Sequence, residues 1–281
     1  PMEVLYGLHP VEEAVRSGAR RLDGVVLARE RSDARLERLA HLCREAGVRV
    51  TLQPRDHLTR MSGTDAHQGA LALVHQRAFL SIEDLLAVQP AAKGAASPAA
   101  KDGPKNGEVP PRHRFFLALD GIEDPHNLGA LLRTADGAGV DGVILPERRS
   151  APVSAIVAKI SAGASEHVRI ARVTNLVRAL EQMKQANIWV LGLDEHGTVD
   201  YSGFDFRADC VLVLGREGAG LHDLVKKTCD HLLRIPMAGQ VSSLNVSVAG
   251  AVVMYEAMRQ RRQPAEKPAP KPQKARKGLG S

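Results

Sequence analysis

Of 281 residues, only three are cysteine, one is tryptophan, three are tyrosine and five are phenylalanine. Cys43, Cys210 and Cys229 are far apart, odd in number and form no C-x-x-C pair. That excludes a disulfide-stapled secreted scaffold and a cysteine zinc site, and it points to small buried hydrophobes in a reduced cytoplasm. Aromatics are 3% of the chain, and Phe115-Phe116 falls in an apolar run. A base-stacking platform of the RRM kind is therefore not expected. No apolar run approaches the ~18 residues of a membrane span. Pro1-Met2-Glu3-Val4 has neither the basic nor the apolar region of a signal peptide. From Met2 to Ala78 there are twelve arginines against ten acids and no lysine. The planar arginine fork suits phosphate and guanine, although Arg31, Arg35 and Arg38 fall on what looks like a solvated helix face.

What is present is an ordinary globular composition, 44% hydrophobic and 25% charged. At about 150 residues per domain the length suggests two domains. The net charge of +6 is uneven. Residues 261–281 carry seven Lys/Arg against Glu266 alone, so the remainder is neutral. Residues 263–281, rich in Pro and Ala, are expected to be a basic disordered tail, either a polyanion-binding segment or a solubilising extension. Ser81–Val88 reads as a helical turn or two, and Gln89–Pro111, QPAAKGAASPAAKDGPKNGEVPP, has no periodicity; residues 79–112 are therefore expected to form a flexible linker between domains that move relative to each other.

Residues 1–78 alternate as a small α/β domain. Helices are expected at Leu8–Gly18, Arg31–Ala46 and Asp56–Met61, and strands at Leu22–Ala28, Val48–Leu52 and Ala70–Val74. Residues 113–262 alternate short apolar strands, beginning with Phe115–Leu119, with helices up to a long one from Leu244. That pattern implies a mostly parallel sheet covered on both faces. Ligands of such sheets bind beyond the carboxyl ends of the strands, where three loops stand out. In Asp120-Gly-Ile-Glu-Asp-Pro-His-Asn127-Leu-Gly-Ala-Leu-Leu-Arg133, Asn127 is placed to cap a helix and Arg133 interrupts an apolar one. Leu214-Gly215-Arg216-Glu217-Gly218-Ala219-Gly220 reads G-x-x-G-x-G rather than the dinucleotide G-x-G-x-x-G, and Glu217 disfavours a phosphate there. Ile235-Pro-Met237-Ala-Gly-Gln-Val-Ser-Ser243-Leu244-Asn245 opens a helix that is apolar nearly all round, to be buried or packed on a partner chain.

Together, D-P-H-N-L-G-A-x-x-R-T-A-D, L-G-x-E-G-x-G and I-P-M-x-G-x-V-S-S-L-N-V-S-V-A resemble the three motifs of the TrmH branch of SPOUT RNA 2'-O-methyltransferases. Tyr6-Gly7-Leu8-His9-Pro10-Val11, His67-Gln68-Gly69 and Arg172-Val173-Thr174-Asn175-Leu176 resemble the members of that branch that methylate a guanosine ribose in the P loop of 23S ribosomal RNA. The resemblance covers most of the chain and fails at the linker and the tail. It implies a C-terminal α/β domain with a deep trefoil knot and an N-terminal L30e-like RNA-binding domain. It also implies S-adenosyl-L-methionine as cofactor and a homodimer built on the last helix. Cofactor contacts would come from Gly192, Leu193, Gly215, Ile235, Met237, Ser243 and Leu244, with Asp194 nearby. Asn127, Arg133, Glu217, Ser243 and Asn245 would form the catalytic set, and no metal is implied. A guanidinium rarely gives up its proton, so Arg133 suits alkoxide stabilisation or a phosphate grip better than general base duty. Methylation of a tRNA guanosine and a non-catalytic rRNA-binding assembly factor are the competing readings.

Overall fold

The computed structural model describes residues 1–30, 33–88 and 113–262. The N-terminal unit runs β1 (Met2–Tyr6), α1 (Leu8–Ser17), β2 (Leu22–Ala28), α2 (Ala34–Glu45), β3 (Val50–Gln53), α3 (Arg55–Ser62) and β4 (Ala70–His75). Its sheet has the order β1-β4-β2-β3, with β2 and β3 parallel and the other pairs antiparallel. β1 is absent from the sequence expectation, because only Gly7, at φ +99°, separates MEVLY from the helix. Its pairing with the distant β4 makes it a strand. α2 begins at Ala34, capped by Asp33, which accepts the Arg35 N–H at 2.9 Å. It buries Leu36, Leu39 and Cys43 and leaves Arg35 and Arg38 in solvent. Arg31 lies outside the described residues.

The second unit comprises α4 (Ile82–Ala87), β5 (Phe115–Asp120), α5 (Pro125–Gly137), β6 (Gly142–Pro146), α6 (Ala155–Ile160), β7 (Ile170–Val173), α7 (Leu176–Gln185), β8 (Trp189–Leu193), β9 (Val199–Asp200), β10 (Cys210–Gly215), α8 (Asp223–Thr228), β11 (His231–Arg234) and α9 (Val246–Arg262). The sheet order is β7-β6-β5-β10-β8-β11-β9, and every pair is parallel. Covered on both faces, its central strands are uninterrupted apolar runs. Phe115, Leu117, Leu119, Leu212 and Leu214 pack with α5 and α9. Phe116, Ala118, Val211 and Val213 pack with α4, α7 and α8. Gly250 lets α9 close on α5 and β10, because a Cβ there would lie 2.7 Å from Leu131 and 2.8 Å from Leu214.

The expected linker starts too early. Leu80 N donates to Ile170 O at 3.0 Å, and Arg172 N donates to Leu80 O at 3.1 Å. A Ser81–Asp84 capping box then opens α4, whose Leu85 is fully buried. Residues 79–88 are thus part of the second unit, and 89–112 and the tail 263–281 lie outside the described residues. The expected mobility between domains meets a packed boundary. α6 and the 3-10 turn Ala164–Glu166 pack against β1 and α1.

Candidate active site

The carboxyl ends of β8, β10 and β11 open into a cavity of about 240 Å³. The expected residues Leu193, Gly215, Glu217, Ile235, Met237, Ser243 and Leu244 all line it. Leu193, Leu214, Ile235, Met237, Leu244 and Val246 give an apolar wall, and residues 215–220 give one mostly of backbone. That loop is a tight turn: Arg216 N donates to Gly220 O at 3.1 Å and Gly220 N to Arg216 O at 2.9 Å. Gly215 admits it. A Cβ there would lie 2.4 Å from Gly220 C and Leu221 N. At the neighbouring strand end, the buried Asp120 accepts His222 N and Nδ1, both at 2.7 Å.

Polar chemistry gathers at one rim of the cavity. Asn245 caps α9, its Oδ1 accepting Ser247 N at 2.9 Å and Val248 N at 3.4 Å. Its Nδ2 donates to Asn127 Oδ1 at 3.1 Å and to Glu217 Oε1. Val246 N also reaches Glu217 Oε1 at 3.4 Å, so Glu217 faces the positive end of α9. Asn127 is not the cap of α5 either. Asp124 takes that place, accepting His126 N at 2.9 Å with Pro125 as the first helical residue. Asn127 sits one turn in and is buried, and its side chain is held by Asn245. Three distant sequence motifs thus meet in an Asn127–Asn245–Glu217 chain.

Two expected residues stand elsewhere. Gly192 is inside β8 and does not line the cavity; its bare Cα makes room for Cys229, Leu221 and Leu232. Arg133 is exposed, outside the lining, without a hydrogen bond or ion pair among the described residues. Six residues from Asn127 at about 100° each, it points roughly 240° around the α5 axis. The two side chains therefore leave α5 about 120° apart.

The sequence motifs missed Glu195, His196 and Lys226, which also line the cavity, as does Ser242 inside the third motif. The signal was available for the first two, which follow the carboxyl end of β8 as the other site loops follow theirs. Lys226 Nζ lies 3.0 Å from Asp194 Oδ2, and Asp194 Oδ1 accepts His196 N at 2.8 Å. Burial alone would raise the Asp194 carboxyl, but these two partners hold it below the ordinary carboxylate range. Burial pushes the Cys229 thiol behind this wall up to about 12.

Residues 114–255 match the SpoU rRNA methylase family. The chain belongs to that family, in its TrmH-type branch. Residues 4–80 match the RNA 2'-O ribose methyltransferase substrate-binding family. The 23S rRNA (guanosine-2'-O-)-methyltransferase RlmB of Ralstonia nicotianae is 40% identical over 260 residues, 92% of this chain and 96% of that protein. RlmB of Escherichia coli K12 is 39% identical over 264 residues, 92% of this chain and 99% of that protein. Among solved structures, the AdoMet-bound rRNA methyltransferase from Sinorhizobium meliloti is 26% identical with a TM-score of 0.70, over 92% of this chain and 87% of that one. The SpoU methyltransferase AviRb from Streptomyces viridochromogenes, 24% identical, has the same fold at a TM-score of 0.71 over 92% and 90%. As a SpoU family member the chain is an RNA 2'-O-methyltransferase. No helix among the described residues is long and apolar enough to cross a membrane.

Proposed function

We propose that the protein methylates a guanosine ribose 2'-hydroxyl in the P loop of 23S ribosomal RNA, with S-adenosyl-L-methionine as methyl donor. The Asn127–Asn245–Glu217 network beside the cavity carries this reading, because it assembles all three TrmH-type motifs at one rim. The cavity suits the donor. Its apolar wall fits an adenine, the turn Arg216–Gly220 offers backbone groups, and Asp194 offers a carboxylate for hydroxyls. Leu193, Gly215, Ile235, Met237, Ser243 and Leu244 would hold it, and when bound it supplies an activated sulfonium methyl. Residues 1–78 act as an L30e-like RNA-binding domain, and residues 113–262 as the methyltransferase domain with the family's trefoil knot.

The protein's own task is to place the ribose oxygen in line and let its proton go. Asn127, Asn245 and Ser243 orient the ribose, and Glu217 holds the network. Arg133 stabilises the developing alkoxide or grips an adjacent phosphate. The 240° offset of Arg133 supports a homodimer in which this side chain reaches the partner's cavity. Val248 and Tyr255 support it too, lying 49% and 46% exposed on α9, with the Tyr255 hydroxyl against Gly137, one turn beyond Arg133 on α5. The test is methyl transfer from labelled donor to 23S rRNA lacking its modifications, with bulk tRNA in parallel. Labelled 2'-O-methylguanosine in rRNA alone is expected. Label in tRNA alone would move the substrate, and label in neither would overturn the reading.

A further inference from the structure

Glu166 is a carboxylate for which methyl transfer has no task. It is 2% exposed, at the end of the turn Ala164–Glu166, and its partners come from the N-terminal side of the chain. Arg20 donates to it twice, Nε to Oε2 at 2.9 Å and Nη2 to Oε1 at 2.5 Å. Arg77 Nη2 lies 3.5 Å from Oε1. Arg20 Nη1 goes on to Glu3 Oε2 at 2.7 Å.

A second contact uses the two N-terminal motifs that the cavity leaves unexplained. Gln68, at φ +54°, turns its Oε1 to accept Leu8 N at 3.1 Å and Lys159 Nζ at 2.5 Å. Gly7 leaves the space this needs, since a Cβ there would lie 2.7 Å from Lys159 Nζ. His67 braces the loop, its Nδ1 accepting Gly69 N at 3.0 Å. Lys159, on α6 of the methyltransferase unit, thus plugs a notch made by Tyr6-Gly7-Leu8 and His67-Gln68-Gly69. Two further contacts flank it. His167 pairs with Glu13 across the boundary, and within the second unit the Arg172 guanidinium stacks 4.2 Å above the Phe79 ring, holding the segment that follows the boundary.

α6 and the turn Ala164–Glu166, which bear Lys159 and Glu166, pack against the helix that carries the site. Ile160 of α6 packs into the groove left by Gly129 of α5, where a Cβ would lie 2.5 Å from its Cγ2. α5 bears Asn127 and Arg133. A buried arginine–carboxylate cluster is a poor source of net stability but a demanding one geometrically, since losing one partner strands a buried charge. It therefore favours one docking register over all others.

We infer that Glu166 and Lys159 are positioning residues that lock the substrate-binding unit onto the methyltransferase unit, so that RNA is presented to the cavity from one rigid body. The inference rests on the methyltransferase reading of the cavity. Its test uses the full chain labelled at Arg38→Cys and Leu224→Cys, both exposed, for pulsed electron–electron distance measurement. The unsubstituted background should give one narrow distance distribution, and Glu166→Gln and Lys159→Met should broaden it. In the same variants KM for the rRNA rises by about tenfold or more, while kcat and donor affinity stay within about twofold. Lys159→Met keeps the test open if Glu166→Gln fails to fold. A distribution that stays narrow in both variants overturns the lock, and a broadened one with unchanged KM overturns its role in presentation. Failure of the unsubstituted protein to bind S-adenosylmethionine would instead sink the methyltransferase reading, because the distance result does not depend on the donor.

Discussion

Replacing Gly215 by alanine tests the cavity most directly. The added Cβ would sit 2.4 Å from Gly220 C and Leu221 N and 2.7 Å from Gly220 O. Carbon atoms are comfortable at ~3.5–4.0 Å, so the 216–221 segment must retreat by roughly 1 Å. All three neighbours are backbone, and no side chain can rotate away. Overpacking costs about 1–3 kcal/mol, and this case belongs in the upper half of that range. At ~2 kcal/mol the Tm should fall by roughly 4–8 °C in a chain of this size. The larger effect is local. The retreat breaks the Arg216–Gly220 turn and draws Glu217 off Asn245. S-adenosylmethionine affinity should then fall by about tenfold or more, equivalent to ~1.4 kcal/mol, by isothermal titration. Gly218→Ala is the control: nothing lies within 4 Å of its Cβ position, but φ is +72°. It should lose about 1–2 kcal/mol to backbone strain, with a far smaller change in affinity. If Gly215→Ala binds the donor as the unsubstituted protein does, the loop is not the cofactor wall.

Arg133→Ala should lose turnover while donor affinity holds, and mixing it with Gly215→Ala should restore activity through dimers that pair an intact cavity with the other chain's Arg133. No recovery on mixing would refute the composite site. Asn245→Ala removes the cap of α9, costing ~1 kcal/mol by thermal unfolding, and should also lower kcat. Asn245→Asp keeps the cap but sets a carboxylate against Glu217 and the Asn127 carbonyl oxygen, so both its Tm and its turnover should fall. Burial pushes Cys210 and Cys229 up to about 12 and also raises Cys43, so none should react readily with a disulfide reagent at pH 8 until guanidinium is added. Rapid labelling of the folded protein would contradict that. Burial opposes ionisation of Asp209, yet the Arg114 N–H and guanidinium hold its carboxyl below the ordinary range, as Asp194 is held. A depressed folded value contributes stability above the unfolded pKa of ~3.9 that is lost as pH falls through the folded one. The Tm should therefore drop below about pH 4, and Asp209→Asn should flatten that drop.

Much of this molecule is local in origin. Strand and helix periodicity places the elements of the second unit, because a parallel sheet covered on both faces needs apolar runs such as Phe115–Leu119 whatever lies beside them. Seven of the expected cofactor and catalytic residues line one cavity for a similar reason: loops that follow parallel strands share one edge of the sheet. Other features depend on partners far away in the chain. Asn127 looked like a cap because Asn is a good one, but Asp124 and Pro125 took the helix start and left it to Asn245. β1 needed β4, and Leu80 and Leu85 needed the edge of the second sheet, before either segment had a definite structure. Arg133 was recognisable by type, but its direction is set by the turn of α5. The sequence alone determined the fold class, the three motifs and the chemistry they imply, since these rest on residue type and period. Only the tertiary structure decided which side chains meet and that the two units are docked through Glu166 and Lys159. Buried charge and hydrogen-bond geometry depend on where the chain returns in space, which no local pattern records.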